Sequence, residues 1–584
     1  MRNHEIAAAF DELSDRLALQ DEKPYRYMAY RAASKAFRSL GESVAQRSEA
    51  GTLLELEGVG PAIEEKVRQL LETGTFPALD KARAAVPDAL LELVHIQGIG
   101  PKSAQKIYAA LDGETVDSLV ARAGSGELQP GDGITPKFVA LLAEEAARRA
   151  SGDVDPGANE GIPRGADGQP LPGPWVRRDQ ARQLLDHLTD ELAAFGRAHD
   201  PEPSGAYVRG VELLRGVTLL ATSDAPPVDA VALLAQLIAK GYEHADTAPR
   251  SPLLAGIDPG DATDLQLVTP SGIPAVVVLA TAGARALASA QLPGPEAWLE
   301  HHATIPDARA VPVELRERVL AGELSPDAIP ADLVRAEDLR GELHAHSDWS
   351  DGRATIGEMA RAARARGDEY FLVTDHSAPY AMVGGLGEER LLAQAEEIAA
   401  VNEALAAEAA AGDAAPFRVL QGSEVEILAD GALGLPDHVL ERLDWVVASI
   451  HVAQRQSSEQ LVERMRRVIE NPLVDAIGHP TSRRMLMRQR TALPIDALIA
   501  MAVEHDVVLE INANAERLDL DSVQAAMALA AGVRLTINTD AHQTHTLDNR
   551  DHGVAVARRA GARIGDIVNC LPAAELLAGR RRLR

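Results

Sequence analysis

Beyond Leu339 the chain repeats one unit, a short apolar run followed by an amphipathic helix, and that rhythm implies a parallel sheet. "YFLVTDHS", "WVVASIH", "DAIGHP" and "VVLEINAN" are such runs. The sheet is expected to close, with its active residues at the C-terminal ends of the strands. Polar residues fall there. Asp375 and His376 end "FLVTDHS", Glu424 follows "FRVLQGSE", His451 ends "WVVASIH", His479 ends "VDAIGH", and Asp540 and His542 end "RLTINTDAH". Earlier, "LHAHSDWSDG" sets His344 and His346 two residues apart, on one face of a strand, with Asp348 and Asp351 behind them. A single buried histidine is ordinarily a satisfied core residue. At least six strand ends finishing in His, Asp or Glu are not independent accidents, and a multinuclear metal site is expected. Imidazole and carboxylate suit Mn2+, Zn2+ or Fe2+, and this many donors can hold two or three divalent metal ions. Cys570 is the one cysteine, which excludes an intrachain disulfide and a cysteine-rich zinc site.

The order H-x-H-S-x-x-S-D-G, T-D-H-S, G-x-E-x-x-I, S-I-H, G-H-P-T-x-R and N-T-D-A-H, from Leu339 to the C-terminus, resembles the PHP (polymerase and histidinol phosphatase) domain. The resemblance implies a distorted seven-stranded (β/α)7 barrel. It implies nine ligands, at His344, His346, Asp351, His376, Glu424, His451, His479, Asp540 and His542. Glu426 stands where relatives often have aspartate, outside the ligand set, and Asp348 and Asp375 are not ligand positions. Paired ions lower the pKa of a bridging water and clamp the oxygens of a phosphate ester, so phosphoester hydrolysis is the expected reaction. Arg483, in "HPTSRR", is a candidate to neutralise the non-bridging oxygens. A solvated loop is the equal alternative for Arg483 and Arg484.

The front of the chain bears on the substrate. "LEGVGPAIEEKVRQLL" and "IQGIGPKSAQKIYAAL" each place G-[VI]-G-P before a helix, and two copies about 40 residues apart form the helix-hairpin-helix pattern. Gly58, Gly60, Gly98 and Gly100, with Lys102, can hold DNA phosphates on backbone N–H groups without reading sequence. Upstream, Arg31, Lys35 and Arg38 form a basic stripe beside Tyr27 and Tyr30, either a solvated helix face or a contact to a 5′-phosphate or single strand.

These features in this order resemble the bacterial family X DNA polymerases (PolX) over essentially the whole chain. The resemblance implies an eight-kilodalton-like DNA-binding domain at 1–80 and a fingers-like domain at 81–150. A Gly/Pro-rich linker at 151–174 follows, then a palm at 175–255, a thumb-like region at 256–325 and the PHP domain at 339–584. Lys66 falls where relatives place the lysine of a 5′-deoxyribose-phosphate lyase; a helix-surface lysine is the other reading. The palm departs from the family. In "GAYVRGVELLRGVTLLATS" the turn and Arg209 survive, but the D-x-D positions are Gly216, Val217 and Thr218, and Asp264 alone matches the third carboxylate. One aspartate cannot position two Mg2+ ions, so Mg2+ is not expected in the palm and synthesis should be poor or lost.

The formal charge of −29 argues against a uniformly basic coat but leaves local basic patches open. No apolar run reaches the roughly 18 residues of a membrane span. The start "MRNHEIAAAFDELSDRL" lacks the order of a signal peptide, so a cytoplasmic protein with no membrane partner is expected. The reading is a DNA-processing, metal-dependent 3′→5′ exonuclease or 3′-end trimmer in repair, acting on gapped, nicked or 3′-ended DNA. A gap-filling polymerase with an accessory nuclease, a small-molecule PHP phosphatase and a non-catalytic DNA-end scaffold are the alternatives.

Overall fold

The computed structural model describes residues 1–20, 24–40, 42–56, 58–96, 99, 101–111, 113–131, 134–150, 171, 173–245, 251–254, 256–294, 311–378, 383–412 and 414–583. The expected hairpin glycines Gly98 and Gly100, and nearly all of the expected linker, lie outside them.

Two helical cores open the chain. Helices Asn3–Leu19, Pro24–Ser39, Pro61–Thr73 and Pro77–Ala85 close over Phe10, Phe37 and Phe76, whose rings meet at 5.4 Å from Phe10. Pro61 and Pro77 stand in the first turns of their helices, where the missing N–H is not needed. Helices Asp88–His95, Pro101–Ala109, Val116–Gly124 and Pro136–Ala150 pack around Leu93, Ile107, Leu119 and Leu142.

A five-stranded mixed sheet follows, in the order His199–Ser204, Val217–Thr222, Pro274–Ala280, Ala262–Val268, Glu243–His244. Its strands alternate. Leu219, Ala221, Val277 and Leu279 face helices Arg178–Phe195 and Pro226–Ala239, while Leu220 and Val278 pack on helix Ala282–Gln291. The sheet continues through Ala280, so the expected boundary between palm and thumb at 255/256 cuts across it. The two apolar runs after that point pair with each other from Ala262↔Ala280 to Val268↔Pro274 and supply its centre.

Seven parallel strands form the last domain in sequence order: Gly341–Glu342, Tyr370–Val373, Arg418–Glu426, Trp445–Ser449, Ala476–Ile477, Val508–Asn512 and Leu535–Asn538. Nearly every residue in them is buried, as strands covered on both faces must be. The ring closes at the metal-facing end. Ala345 bridges Ala541 in parallel, the His346 amide donates to Ala541 O at 2.8 Å, and the Asp540 amide donates to His344 O at 2.9 Å.

The domains are fastened by charge. Helix Arg550–Ala560 of the barrel meets the palm-type domain through Arg182 and Asp551 at 2.9 Å and through Arg559, which donates to Arg209 O at 3.1 Å. The N-terminal helices meet the far edge of the five-stranded sheet through Arg2 and Glu243 at 2.7 Å.

Candidate metal centre

Strand ends deliver the cluster. His344 and His346 follow the first strand, His376 the second, Glu424 lies in the third, His451 follows the fourth, His479 the fifth, and Asp540 and His542 the seventh. Asp351 comes from the turn after His346. His479 and Asp540 have φ of +26° and +53°, a costly region for residues with side chains, and the surrounding barrel holds them there.

Glu424 is the centre. Its Oε2 lies 2.9 Å from His376 Nδ1, 3.4 Å from His344 Nε2 and 3.6 Å from His346 Nε2; its Oε1 lies 2.8 Å from His479 Nε2 and 3.3 Å from His451 Nε2. Asp540 Oδ1 stands 3.1 Å from His346 Nε2 and 3.9 Å from His344 Nε2. Asp351 Oδ1 lies 3.6 Å from His376 Nε2 and 3.5 Å from His542 Nε2. All nine expected side chains are therefore brought to one place. Three subsets, His346/Asp351/His376/His542, His344/His346/Asp540 and His376/Glu424/His451, each present donor atoms within 4.8 Å of one another.

The donors fit divalent ions. His344 Nε2, both ring nitrogens of His346, Glu424 Oε2 and His479 Nδ1 are buried with no hydrogen-bond partner, a costly arrangement for so many polar atoms unless an electrophile satisfies them. Burial, and the neighbouring His542 and His376, push His346 down to about 3; burial and Arg517 push His479 down to about 4. Burial would raise the carboxyls of Glu424 and Asp540, but the histidines around them hold both well below the usual range. Against the effect of burial, Glu424 and Glu426 push His451 up to about 9, and Asp351 and Asp540 push His542 up to about 9. Those protons leave when a cation takes the site.

Residues outside the nine orient them: Glu510 and Asn512 escaped the sequence reading, whereas Glu426 and Asp375 were already set apart there as motif residues that are not ligands. Glu510 Oε1 lies 2.7 Å from His344 Nδ1, which turns Nε2 toward the cluster, and its Oε2 accepts from the His479 amide at 2.6 Å. Glu426 does the same for His451, with Oε2 2.8 Å from Nδ1. Asn512 Nδ2 donates to Asp540 Oδ2 at 3.2 Å. An acid in the middle of the wholly buried strand Val508–Asn512 was the available signal for Glu510. Asp375 is buried and accepts from the Ser347 amide at 2.8 Å and from Gln394 Nε2 at 2.7 Å, fixing the turn behind His346. Asp348 is exposed.

Arg483 corrects the sequence reading. It is 1% exposed, donates through Nε to Arg517 O at 2.8 Å and through Nη2 to Leu518 O and to Glu212 Oε2 at 2.8 Å, so its charge braces the barrel against the palm instead of meeting substrate. The arginine at the cluster is Arg517. Its Nε lies 3.4 Å from Asp540 Oδ2, and its buried Nη1 has no hydrogen-bond partner.

Elsewhere the candidates scatter. Gly58 has φ +81°, and Gly60 caps helix Pro61–Thr73 with open space around it. Lys102 is exposed on helix Pro101–Ala109. The basic stripe is paired: Arg31 with Asp15, Arg38 with Asp11 at 2.6 Å, and Lys35 with Glu516 of the barrel. Lys66 donates to Ala62 O at 2.9 Å and lies 5.5 Å from the Tyr30 ring centroid. Asp264 Oδ2 accepts from the Ser251 amide at 3.1 Å and Gln266 Nε2 at 3.0 Å, and the sheet row that contains it runs through Val278 to Leu220. A Cβ at Gly216 would lie 2.4 Å from Pro274 O. Arg209 donates to Glu317 at 3.0 Å, and Glu317 also accepts from Arg559 at 2.8 Å.

A helical DNA-binding front, a palm-type sheet and a histidine-rich parallel barrel define a metal-dependent phosphoesterase built for DNA. Residues 1–76 match the model of a helix-hairpin-helix domain and residues 50–114 that of a SAM-like helix-hairpin-helix tandem. The chain is 28% identical over 593 residues to the DNA polymerase/3′-5′ exonuclease PolX of Bacillus subtilis (strain 168), covering 97% of each. Its C-terminal part is 30% identical over 212 residues to a probable phosphatase of Photobacterium profundum, covering 34% of this chain and 77% of that one. A crystal structure of histidinol phosphate phosphatase from Lactococcus lactis, with zinc, L-histidinol and phosphate, covers 38% of this chain and 94% of its own at 14% identity and a TM-score of 0.28. Over nearly its whole length the chain is therefore similar to a PolX-type DNA polymerase/exonuclease, with helix-hairpin-helix domains at its front and a C-terminal part similar to probable phosphatases.

Proposed function

We propose that this protein trims DNA from 3′ ends as a metal-dependent 3′→5′ exonuclease in repair, working in the cytoplasm on gapped, nicked or 3′-ended DNA. The observation that carries the reading is the set of buried, unpartnered donor atoms around Glu424, in a chain that begins with helix-hairpin-helix domains. Two or three divalent ions, Mn2+, Zn2+ or Fe2+ by the chemistry of the donors, would be held by His344, His346, Asp351, His376, Glu424, His451, His479, Asp540 and His542. When bound they supply an activated water and Lewis-acid stabilisation of the departing oxygen. Glu510 and Glu426 hold His344 and His451 in the tautomer that presents Nε2. Arg517 neutralises charge on a non-bridging phosphate oxygen, through the Nη1 that has no partner in the protein. Gly58, Gly60, Gly98, Gly100 and Lys102 grip the DNA backbone, and Lys66 is a candidate lyase nucleophile.

The palm half binds DNA in this reading but does not extend it. Supporting this, the candidate metal groups found among the described residues all lie in the barrel, Asp264 is engaged by Ser251 and Gln266, and Arg209 is held by Glu317. A second reading, a gap-filling polymerase with an accessory nuclease, is favoured by the full-length likeness to a protein named for both activities. Reconstituting metal-free protein with Mn2+, Zn2+ and Fe2+ in turn, and assaying both 3′-end cleavage and extension across a one-nucleotide gap, tests the two together. Cleavage without extension supports the first reading, and robust extension the second.

A further inference from the structure

The loop that follows His479, residues 480–494, carries Arg483, Arg484, Arg488 and Arg490 and no acid, in a chain of formal charge −29. Helix Pro24–Ser39 carries Arg26, Arg31, Lys35 and Arg38, again with no acid. The fold brings these two segments together at one carboxylate. Lys35 Nζ and Arg484 Nη2 both pair with Glu516, and Arg177 Nη2 stands 3.9 Å from it. Arg177 has its own partner in Asp179 at 3.1 Å, so the Glu516 carboxylate is shared by two cations, Lys35 and Arg484. The next residue, Arg517, reaches Asp540 of the metal cluster at 3.4 Å. Positive groups therefore continue from the helix-hairpin-helix domain to the metal centre, and they stay reachable: the side chains of Lys35, Arg484 and Arg490 are 62%, 36% and 38% exposed within their ion pairs.

We propose that a single DNA strand enters the metal centre along this seam, between helix Pro24–Ser39 and the 480–494 loop, with its phosphates held by Lys35, Arg484 and Arg490. The proposal rests on the exonuclease reading and adds the route and the strand state. A buried cluster at the end of a seam between two domains takes a strand end rather than a duplex. Contacts made by ammonium and guanidinium groups to phosphates carry no base information, so the route should be indifferent to sequence. Lys35 must exchange Glu516 for a phosphate when the strand arrives, which couples engagement of the N-terminal domain to the loop that bears Arg517.

The test measures binding of a fluorescent single-stranded oligonucleotide to the full-length protein in chelator, by anisotropy across a salt series. Lys35→Gln, Arg484→Gln and Arg490→Gln should each weaken binding severalfold. Each should also flatten the slope of log affinity against log salt by about 0.7, the loss of one phosphate contact on a single strand. Lys35→Arg and Arg484→Lys should restore the slope. Wild-type affinity and slope in all three glutamine variants would overturn the proposal, as would weaker binding with an unchanged slope, the mark of an undocked domain, or a preference for duplex. In each of those cases cleavage of DNA by the wild type leaves the exonuclease reading standing. A wild type that neither binds nor cleaves DNA takes both down.

Discussion

The Arg483 guanidinium of the barrel donates to the Glu212 carboxylate of the palm-type domain at 2.8 Å, across 271 residues of sequence. The other oxygen of Glu212 accepts from the Ser522 amide at 2.9 Å. This one bond removes an arginine from the metal chemistry and an acid from the neighbourhood of the palm strand. Removing one partner of a buried pair leaves the other charge uncompensated. Arg483→Met should therefore cost about 3 to 5 kcal/mol in urea denaturation. Arg517→Met should instead lower turnover of a phosphodiester by about 100-fold with little change in the unfolding midpoint. If Arg483→Met folds as stably as wild type and loses turnover selectively, the two roles are reversed.

The cluster should fail as a unit. His344→Ala or Asp540→Ala should abolish hydrolysis while DNA binding persists, because each removes a donor shared with its neighbours. Glu510→Gln keeps the size of the side chain but weakens the hold on His344 Nδ1, and should lower metal affinity about 10- to 100-fold. Metal titration followed by competition with a chromogenic chelator reads this directly. Unchanged affinity in Glu510→Gln would show that the tautomer of His344 is fixed by other means.

At the first hairpin, Gly60 has no atom within 4 Å of a Cβ and an ordinary negative φ of −101°. Gly60→Leu should leave the melting temperature within a degree or two, since a surface substitution of this kind changes stability by about 0.5 kcal/mol or less. DNA affinity should fall equally for all sequences, because a side chain there blocks the approach of a phosphate. Loss of affinity for some sequences only would mean that the hairpin reads bases.

Glu516 gives the domain junction a pH dependence. Burial alone would raise its pKa, but Arg484, Lys35 and Arg177 hold it down at about 2, against 4.5 for the free side chain. The folded protein binds this proton less tightly than the unfolded chain. Its stabilising contribution is therefore complete above pH 4.5 and is lost as the pH falls toward 2. Glu516→Gln lacks that contribution, so its urea midpoint should lie below that of wild type at about pH 6, and the gap should narrow by about pH 3.5. A gap that widens on acidification would contradict the assignment.

In the palm, Asp264→Ala should leave nucleotide incorporation at background on a one-nucleotide gap. Restoring acids by Gly216→Asp with Thr218→Asp is not expected to recover synthesis, because a Cβ at Gly216 would sit 2.4 Å from the Pro274 carbonyl and force the central strands apart. Extension by wild type that Asp264→Ala removes would reinstate the polymerase.

The barrel was legible in the sequence because a parallel sheet buried on both faces leaves nearly continuous apolar runs, and polar residues at their ends stand out against them. His376, His451 and His479 were visible for that reason. Glu510 was not, since it lies inside such a run and its role depends on a histidine 166 residues away. Arg483 follows the strand that ends in His479 and stood out for that reason, whereas Arg517 follows the sixth strand, Val508–Asn512, which carries none of the nine ligands, and its approach to Asp540 is a contact the sequence does not mark. The strand pairing that continues the palm sheet past 255, and the meeting of Lys35 with Glu516, are long-range contacts that no local pattern encodes.

The central claim is tested most directly by a time course on a 5′-labelled single-stranded oligonucleotide with Mn2+-loaded protein, wild type beside Asp540→Ala. The account predicts products shortened one nucleotide at a time from the 3′ end by wild type and intact DNA with the variant. Intact DNA with wild type, alongside rapid hydrolysis of a small phosphate monoester, would contradict it and make the protein a phosphatase.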